Sequence, residues 1–158
     1  ERSPRAALLN VNRLLRELGE PHMFVTVFYG IVEATTRLLI YCRAGHDYPV
    51  LLRDGHAQTL DGEGTVLGFF SERELMLAEE CLTLAPGDRL VLYTDGLTDV
   101  MNGDGERYEF ARLLELLRAG ATLSAAELVD TTLAELAAYQ GDAPQYDDMT
   151  LLVVEVSG

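Results

Sequence analysis

Asp95 closes the run Leu90-Val91-Leu92-Tyr93-Thr94, and Gly96 follows at once. Aliphatic, β-branched and aromatic side chains in such a run fit a buried strand that delivers a carboxylate at its end. Asp147-Asp148-Met149-Thr150 stands at the head of a second apolar run, Leu151 to Val156. Carboxylates brought from two strand ends are hard oxygen donors, suited to a divalent cation. The chemistry this suggests is metal-assisted hydrolysis of a phosphate ester. Each half also has an ordinary reading. Asp-Gly recurs at residues 54, 61 and 104, where turns explain it. Asp147-Asp148 reads equally as a solvated loop, or as a loop held by an aspartate bonding backbone amides. Asp99 comes one helical turn after Asp95. Ser71 and Ser124 have no base nearby in sequence, and neither cysteine carries the flanking pattern of a phosphate-binding loop.

The elements that must position these residues follow from periodicity and punctuation. Ser3-Pro4 starts a helix, with a capping hydroxyl and proline at the first position. Leu8, Val11, Leu15 and Leu18 share a face of it, and Gly19 ends it. From Met23 the period changes to that of strands: Met23–Glu33, Arg37–Arg43, then Val50–Arg53 and His56–Leu60 around the hairpin signal Asp54-Gly55. Glu74–Leu84 reads as another strand, and Pro86-Gly87-Asp88 turns the chain into Arg89–Thr94. Helical character returns over Phe110–Arg118, and again from the capping box Ser124-Ala125-Ala126-Glu127 to Tyr139. Short connections between successive strands predict antiparallel pairing, so the fold class is α+β, with helices outside antiparallel sheets. Met23–Glu33, Glu74–Leu84 and Arg89–Thr94 are expected to neighbour one another, with the two later helices on one sheet face. Asp95 and Asp147 are expected to converge at a sheet edge.

With 158 residues, nearly half of them hydrophobic, the chain has enough material for one domain with a real core. Its formal net charge of −14 argues against nucleic acid and against an anionic membrane surface. No apolar stretch approaches the roughly 20 residues of a membrane span. Cys42 and Cys81 lack metal or redox spacing and read as buried reduced thiols, which points to the cytoplasm.

Asp95-Gly96-Leu97-Thr98-Asp99 together with Asp147-Asp148-Met149-Thr150 resembles the two C-terminal motifs of the metal-dependent (PPM-type) serine/threonine protein phosphatases, in their bacterial SpoIIE-like branch. Asn12-Arg13-Leu14-Leu15, Phe24 to Gly30, Ala44-Gly45-His46 with Pro49, and Leu84 to Asp88 fall in matching order. The resemblance runs nearly end to end. It implies an antiparallel β-sandwich flanked by helices, and two Mn2+ or Mg2+ ions that activate water against phosphoserine or phosphothreonine. Carried over, Asp95 and Asp147 match metal-ligating, catalytic aspartates. Gly96 and Asp148 sit where support for those ligands is expected. Asp99 often corresponds to Glu in this branch and receives no firm role. His46 matches a structural turn, and His22 and His56 read as surface or turn residues. The family's N-terminal Asp-x-x-Gly-His-Gly segment is missing, so residues 1–158 are expected to form a single phosphatase domain without its N-terminal part, poorly active alone.

The leading reading is therefore a protein serine/threonine phosphatase acting on a phosphorylated regulatory protein. The family association suggests an anti-anti-sigma factor as that partner, and an upstream sensor domain. The alternative is a non-catalytic partner-binding module with a degenerate phosphatase fold. A two-metal phosphoesterase for a small molecule is a third reading, unsupported by any nucleotide-binding glycine fingerprint or basic clamp.

Overall fold

The computed structural model describes residues 3–19 and 22–157. The chain divides into two compact units, one of Glu1–Tyr48 with Asp61–Ala85 and one of Pro49–Leu60 with Pro86–Gly158. Each has its own antiparallel sheet, and three α-helices complete an α+β fold of the expected class.

In the first unit, α1 (Pro4–Leu18) is capped by Ser3, whose hydroxyl accepts the Ala6 N–H at 3.2 Å. Three strands follow in the order β1 (Val27–Glu33), β2 (Leu38–Ala44) and β5 (Glu80–Thr83). The core face of α1 differs from the expected stripe. Leu8 is buried, but Val11 is 39% and Leu18 82% exposed, whereas Asn12 is fully buried. Asn12 is tolerated there because its amide donates to the Phe70 carbonyl (3.1 Å) and accepts the Gly68 N–H (2.8 Å). Leu8 packs with Cys42, Ala44, Leu67, Leu75 and Leu77.

Two strand boundaries also shift. Regular pairing of β1 begins at Val27, and Val25 makes only an isolated bridge to Leu67. Within Glu74–Leu84 only Glu80–Thr83 joins the sheet. Leu75 and Leu77 imitate strand alternation because both enter the core, while residues 71–74 form a turn in which the Ser71 hydroxyl donates to Glu74 at 2.6 Å. The expected neighbour relationship is corrected as well: β1 and β5 flank β2, and the strand ending at Tyr93 lies in the other sheet. Cys42 is buried as expected, but Cys81 is exposed.

The second unit orders its strands β4 (His56–Thr59), β3 (Val50–Arg53), β6 (Arg89–Tyr93) and β7 (Leu151–Glu155). Asp54 and Gly55, at φ 51° and 76°, make the turn with two left-handed residues that suits a tight hairpin. Helices α2 (Glu109–Ala119) and α3 (Ala125–Gln140) cover one face of this sheet. Leu113, Leu117, Leu128 and Leu136 pack on Val50, Leu52, Val91 and Tyr93, all buried. Burying each such leucine contributes roughly 1.5–3 kcal/mol. At one end, Arg53 grips the carboxylate of the 2%-exposed Asp88 through its Nε (2.9 Å) and a terminal nitrogen (2.5 Å), and the Asp88 main-chain carbonyl accepts the Val156 N–H at 2.9 Å. The other end carries the acidic segments. Among the described residues no helix is long and apolar enough to cross a membrane.

Candidate functional site

β6 is an interior strand and β7 its edge neighbour, paired from Arg89 with Glu155 to Tyr93 with Leu151. The next opposing residues are Thr94 and Thr150. The Thr94 N–H donates to the Thr150 carbonyl (3.1 Å), and the Thr150 N–H donates back to the Thr94 hydroxyl (3.0 Å). That hydroxyl donates to the Asp148 carbonyl at 3.2 Å. The apolar pairing of the two strands thus ends in a polar latch, and both acidic segments lie beyond it. Thr94 was not singled out from the sequence; its only signal was a threonine directly preceding the aspartate at a strand end.

Residues 95–97 form a single 3-10 turn. The Asp95 carbonyl accepts the Asp99 N–H (2.8 Å) and the Thr98 hydroxyl (3.0 Å), so the turn fixes the main chain beneath the Asp95 side chain. Gly96 is buried against the other segment, where a Cβ on it would stand 2.2 Å from the Asp148 carbonyl oxygen. No side chain fits at that separation, and the close approach of the segments requires glycine.

Asp95, Asp147 and Asp148 are all exposed. Among the described residues the Asp95 carboxylate has no hydrogen-bond or ion-pair partner, which leaves its oxygens open to a ligand. Asp147 spends one carboxylate oxygen on the Asp148 N–H (2.7 Å), and the Gln145 amide donates to its carbonyl (2.8 Å). The reading in which an aspartate holds this loop through a backbone amide therefore applies to Asp147, and its second oxygen remains. Asp99 turns to Arg107 in an ion pair of 2.8 Å, which gives it a local structural role. His46 lies within 3.3 Å of the Thr26 hydroxyl, and its carbonyl accepts the Arg43 guanidinium (2.6 Å). Those contacts suit a turn residue. His22 and His56 are exposed.

Asp95 and Asp147 offer the hard oxygen donors that Mn2+ or Mg2+ takes. Among the described residues no group of three or more His, Cys, Asp or Glu side chains is arranged to hold a metal ion. The donors are of the right kind for such an ion, and two carboxylates by themselves do not make a complete ligand set.

Residues 1–157 match the family described as Stage II sporulation protein E (SpoIIE). Protein IcfG of Synechocystis sp. is 29% identical over 150 residues, a span covering 94% of this chain and 23% of that protein. Phosphoserine phosphatase RsbU of Bacillus subtilis is 29% identical over 155 residues, covering 96% of this chain and 44% of that protein. The chain thus spans less than half the length of either curated relative. The solved SiaA-PP2C domain of Pseudomonas aeruginosa superposes with a TM-score of 0.86 at 27% identity, covering 99% of this chain and 62% of that one.

Proposed function

The chain belongs to the SpoIIE family, and on that premise we propose that it is the metal-dependent phosphatase part of a protein that removes phosphate from phosphoserine or phosphothreonine on a regulatory protein. The likeness to the phosphoserine phosphatase RsbU supports the reaction class, and the likeness to the SiaA-PP2C domain supports the architecture. An anti-anti-sigma factor is the substrate that the family association favours.

In this reading Asp95 and Asp147 are ligands to Mn2+ or Mg2+, with further oxygen donors completing the site. Bound divalent cations would make a water molecule acidic enough to attack and neutralise charge on the phosphoryl oxygens. The chain's own contribution is placement. The Thr94–Thr150 latch sets the spacing of the two segments, Gly96 lets them touch, and Asp147 and Asp148 stiffen the loop through their shared hydrogen bond. Because the three aspartates lie open to solvent, a phosphate carried on another protein can reach them. The observation that carries the reading is the meeting of the Asp95-Gly96 turn with the Asp147-Asp148 segment at one end of β6 and β7.

The test is Mn2+-dependent hydrolysis of p-nitrophenyl phosphate and of a phosphoserine protein by the natural polypeptide containing this sequence. Asp95→Asn, which removes a ligand charge at nearly constant volume, should abolish turnover and leave the circular dichroism spectrum unchanged. His46→Ala should cost far less. Metal-independent turnover, or full activity in Asp95→Asn, would overturn the assignment. A wild-type polypeptide inert on both substrates would instead favour a binding module.

A further inference from the structure

A groove of about 630 Å³ lies beside the Asp147 segment, between the turn at residues 101–105 and the loop at 139–146. We infer that this groove receives an apolar side chain neighbouring the phosphorylated serine or threonine, and so selects the substrate segment. The inference rests on the phosphatase reading and adds a substrate preference to it.

Position is the first argument. Tyr146, on one wall, immediately precedes Asp147, which puts the groove next to the segment that would meet the phosphate. Lining is the second. Met101, Tyr139, Pro144 and Tyr146 supply apolar and aromatic surface, and Tyr146 stands 66% exposed. A large aromatic left in water beside a concave apolar surface is what a binding site for a small apolar group requires. A Cβ added at Gly103 would meet nothing within 4 Å, so the opposite rim is open to an incoming chain.

The walls are also held in place before anything binds. The Tyr139 hydroxyl lies 3.2 Å and 3.1 Å from the Glu106 and Arg107 carbonyls, tying the end of α3 to the 101–107 turn. Inside that turn the Asn102 side chain accepts the Asp104 and Glu106 N–H groups at 3.0 and 2.9 Å. On the other wall the Gln140 amide donates to the Ala143 carbonyl at 2.8 Å. Preorganised walls lose little freedom on binding, so burial of a side chain appears as selectivity. Charge sets the sign of the preference. Asp142 lines the groove, and among the described residues no arginine or lysine lines it, Arg112 lying only over the Tyr139 ring, so an acidic neighbour to the phosphoresidue is disfavoured.

The experiment compares phosphoserine peptides identical except that the residue before or after the phosphoserine is Leu, Phe, Gly or Asp. They are given to the natural polypeptide with Mn2+, with p-nitrophenyl phosphate as a substrate that carries no peptide residue beside the phosphate. On one side of the phosphoserine, kcat/KM should favour Leu and Phe over Gly by about 10-fold, the usual scale for an apolar side chain in an apolar pocket. The Asp peptide should be the poorest. Tyr146→Ala and, on the facing wall, Met101→Ala should each erase most of that preference while sparing p-nitrophenyl phosphate turnover. Equal use of the four peptides, or preference kept in both variants, overturns the inference while the phosphatase reading stands. If p-nitrophenyl phosphate is not hydrolysed by the wild type, the phosphatase reading fails. Fluorescence anisotropy of labelled Leu and Gly peptides then decides the groove by binding alone: tighter binding of Leu that Tyr146→Ala abolishes supports it, and equal binding overturns it.

Discussion

Gly96 and Asp148 are in backbone contact: a Cβ on Gly96 would lie 2.2 Å from the Asp148 carbonyl oxygen. The obstacle is main chain, which cannot rotate aside as a flexible side chain would. Gly96→Ala must therefore push the 147–150 segment away or open the Thr94–Thr150 latch. The cost expected for such overpacking is roughly 1–3 kcal/mol, read by urea denaturation. Mn2+-dependent turnover should fall with it, since the two aspartate segments separate. Gly103→Ala is the control, because its Cβ meets nothing within 4 Å and its stability should be unchanged.

The two thiols should differ sharply in reactivity. Cys42 is fully buried on β2, and burial pushes its thiol up to about 11, with the Glu79 carboxylate adding to the shift. The thiolate is the nucleophile, so Cys42 is protected both by inaccessibility and by protonation. Cys81, on the edge strand β5, is exposed. In native protein an alkylating reagent should modify Cys81 promptly and Cys42 only on unfolding, as mass spectrometry of the labelled peptides would record. Prompt labelling of both would contradict the placement of Cys42 in the core.

Local signals in the sequence were reliable where the chemistry is local. The Asp54-Gly55 hairpin, the Ser3 cap and the Ser124 capping box appear as read, since each depends on a few adjacent residues. Long-range relationships were less legible. The stripe read on α1 missed Asn12, whose burial is possible only through partners at residues 68 and 70. Leu75 and Leu77 alternate as strand residues do, yet they serve the core without joining the sheet. Assigning β6 beside β1 and β5 failed because strand order is set by pairing partners, which alternation does not reveal. At the candidate site, both acidic segments were legible from the apolar runs they adjoin. The role of Asp99 was not, because its partner Arg107 is brought to it by the turn at residues 101–107.

The end of the second sheet opposite the acidic segments carries the ion pair of Arg53 with Asp88, beside that of Arg89 with Glu155 (3.6 Å). Arg53, closing β3, donates two hydrogen bonds to Asp88, which is 2% exposed and leads into β6. Asp88→Ala leaves the Arg53 guanidinium without its buried partner, a change that typically costs about 3–5 kcal/mol. Arg53 is 32% exposed and regains some hydration, so the lower end of that range is expected. The measurement is the denaturation midpoint. A change below about 1 kcal/mol, the scale of an exposed pair, would show that the bridge is not structural.

Glu127 links the stability of α3 to acid. Its carboxylate accepts the Ser124 hydroxyl (2.7 Å) and the Ser124 N–H (2.9 Å), closing the capping box. The Ser124 hydroxyl first, and the backbone N–H second, hold this carboxyl below its ordinary value. The folded protein therefore binds the proton less readily than the unfolded chain does. The stability this contributes is fully present above the unfolded carboxylate pKa and disappears as pH falls through the lowered folded value. Glu127→Gln should make the acid side of the stability curve shallower by removing that one titration. Ser124→Ala should cost about 1 kcal/mol near neutral pH, where the hydroxyl also caps the helix by accepting the Glu127 N–H. Because Glu74 with Ser71 and Glu79 with Ser3 are depressed in the same way, acid lability should persist in Glu127→Gln at reduced steepness. Urea denaturation of both variants and the wild type across the acid range gives the comparison. An acid limb in Glu127→Gln that superposes on the wild-type curve would show that the capping box makes no contribution through its carboxylate.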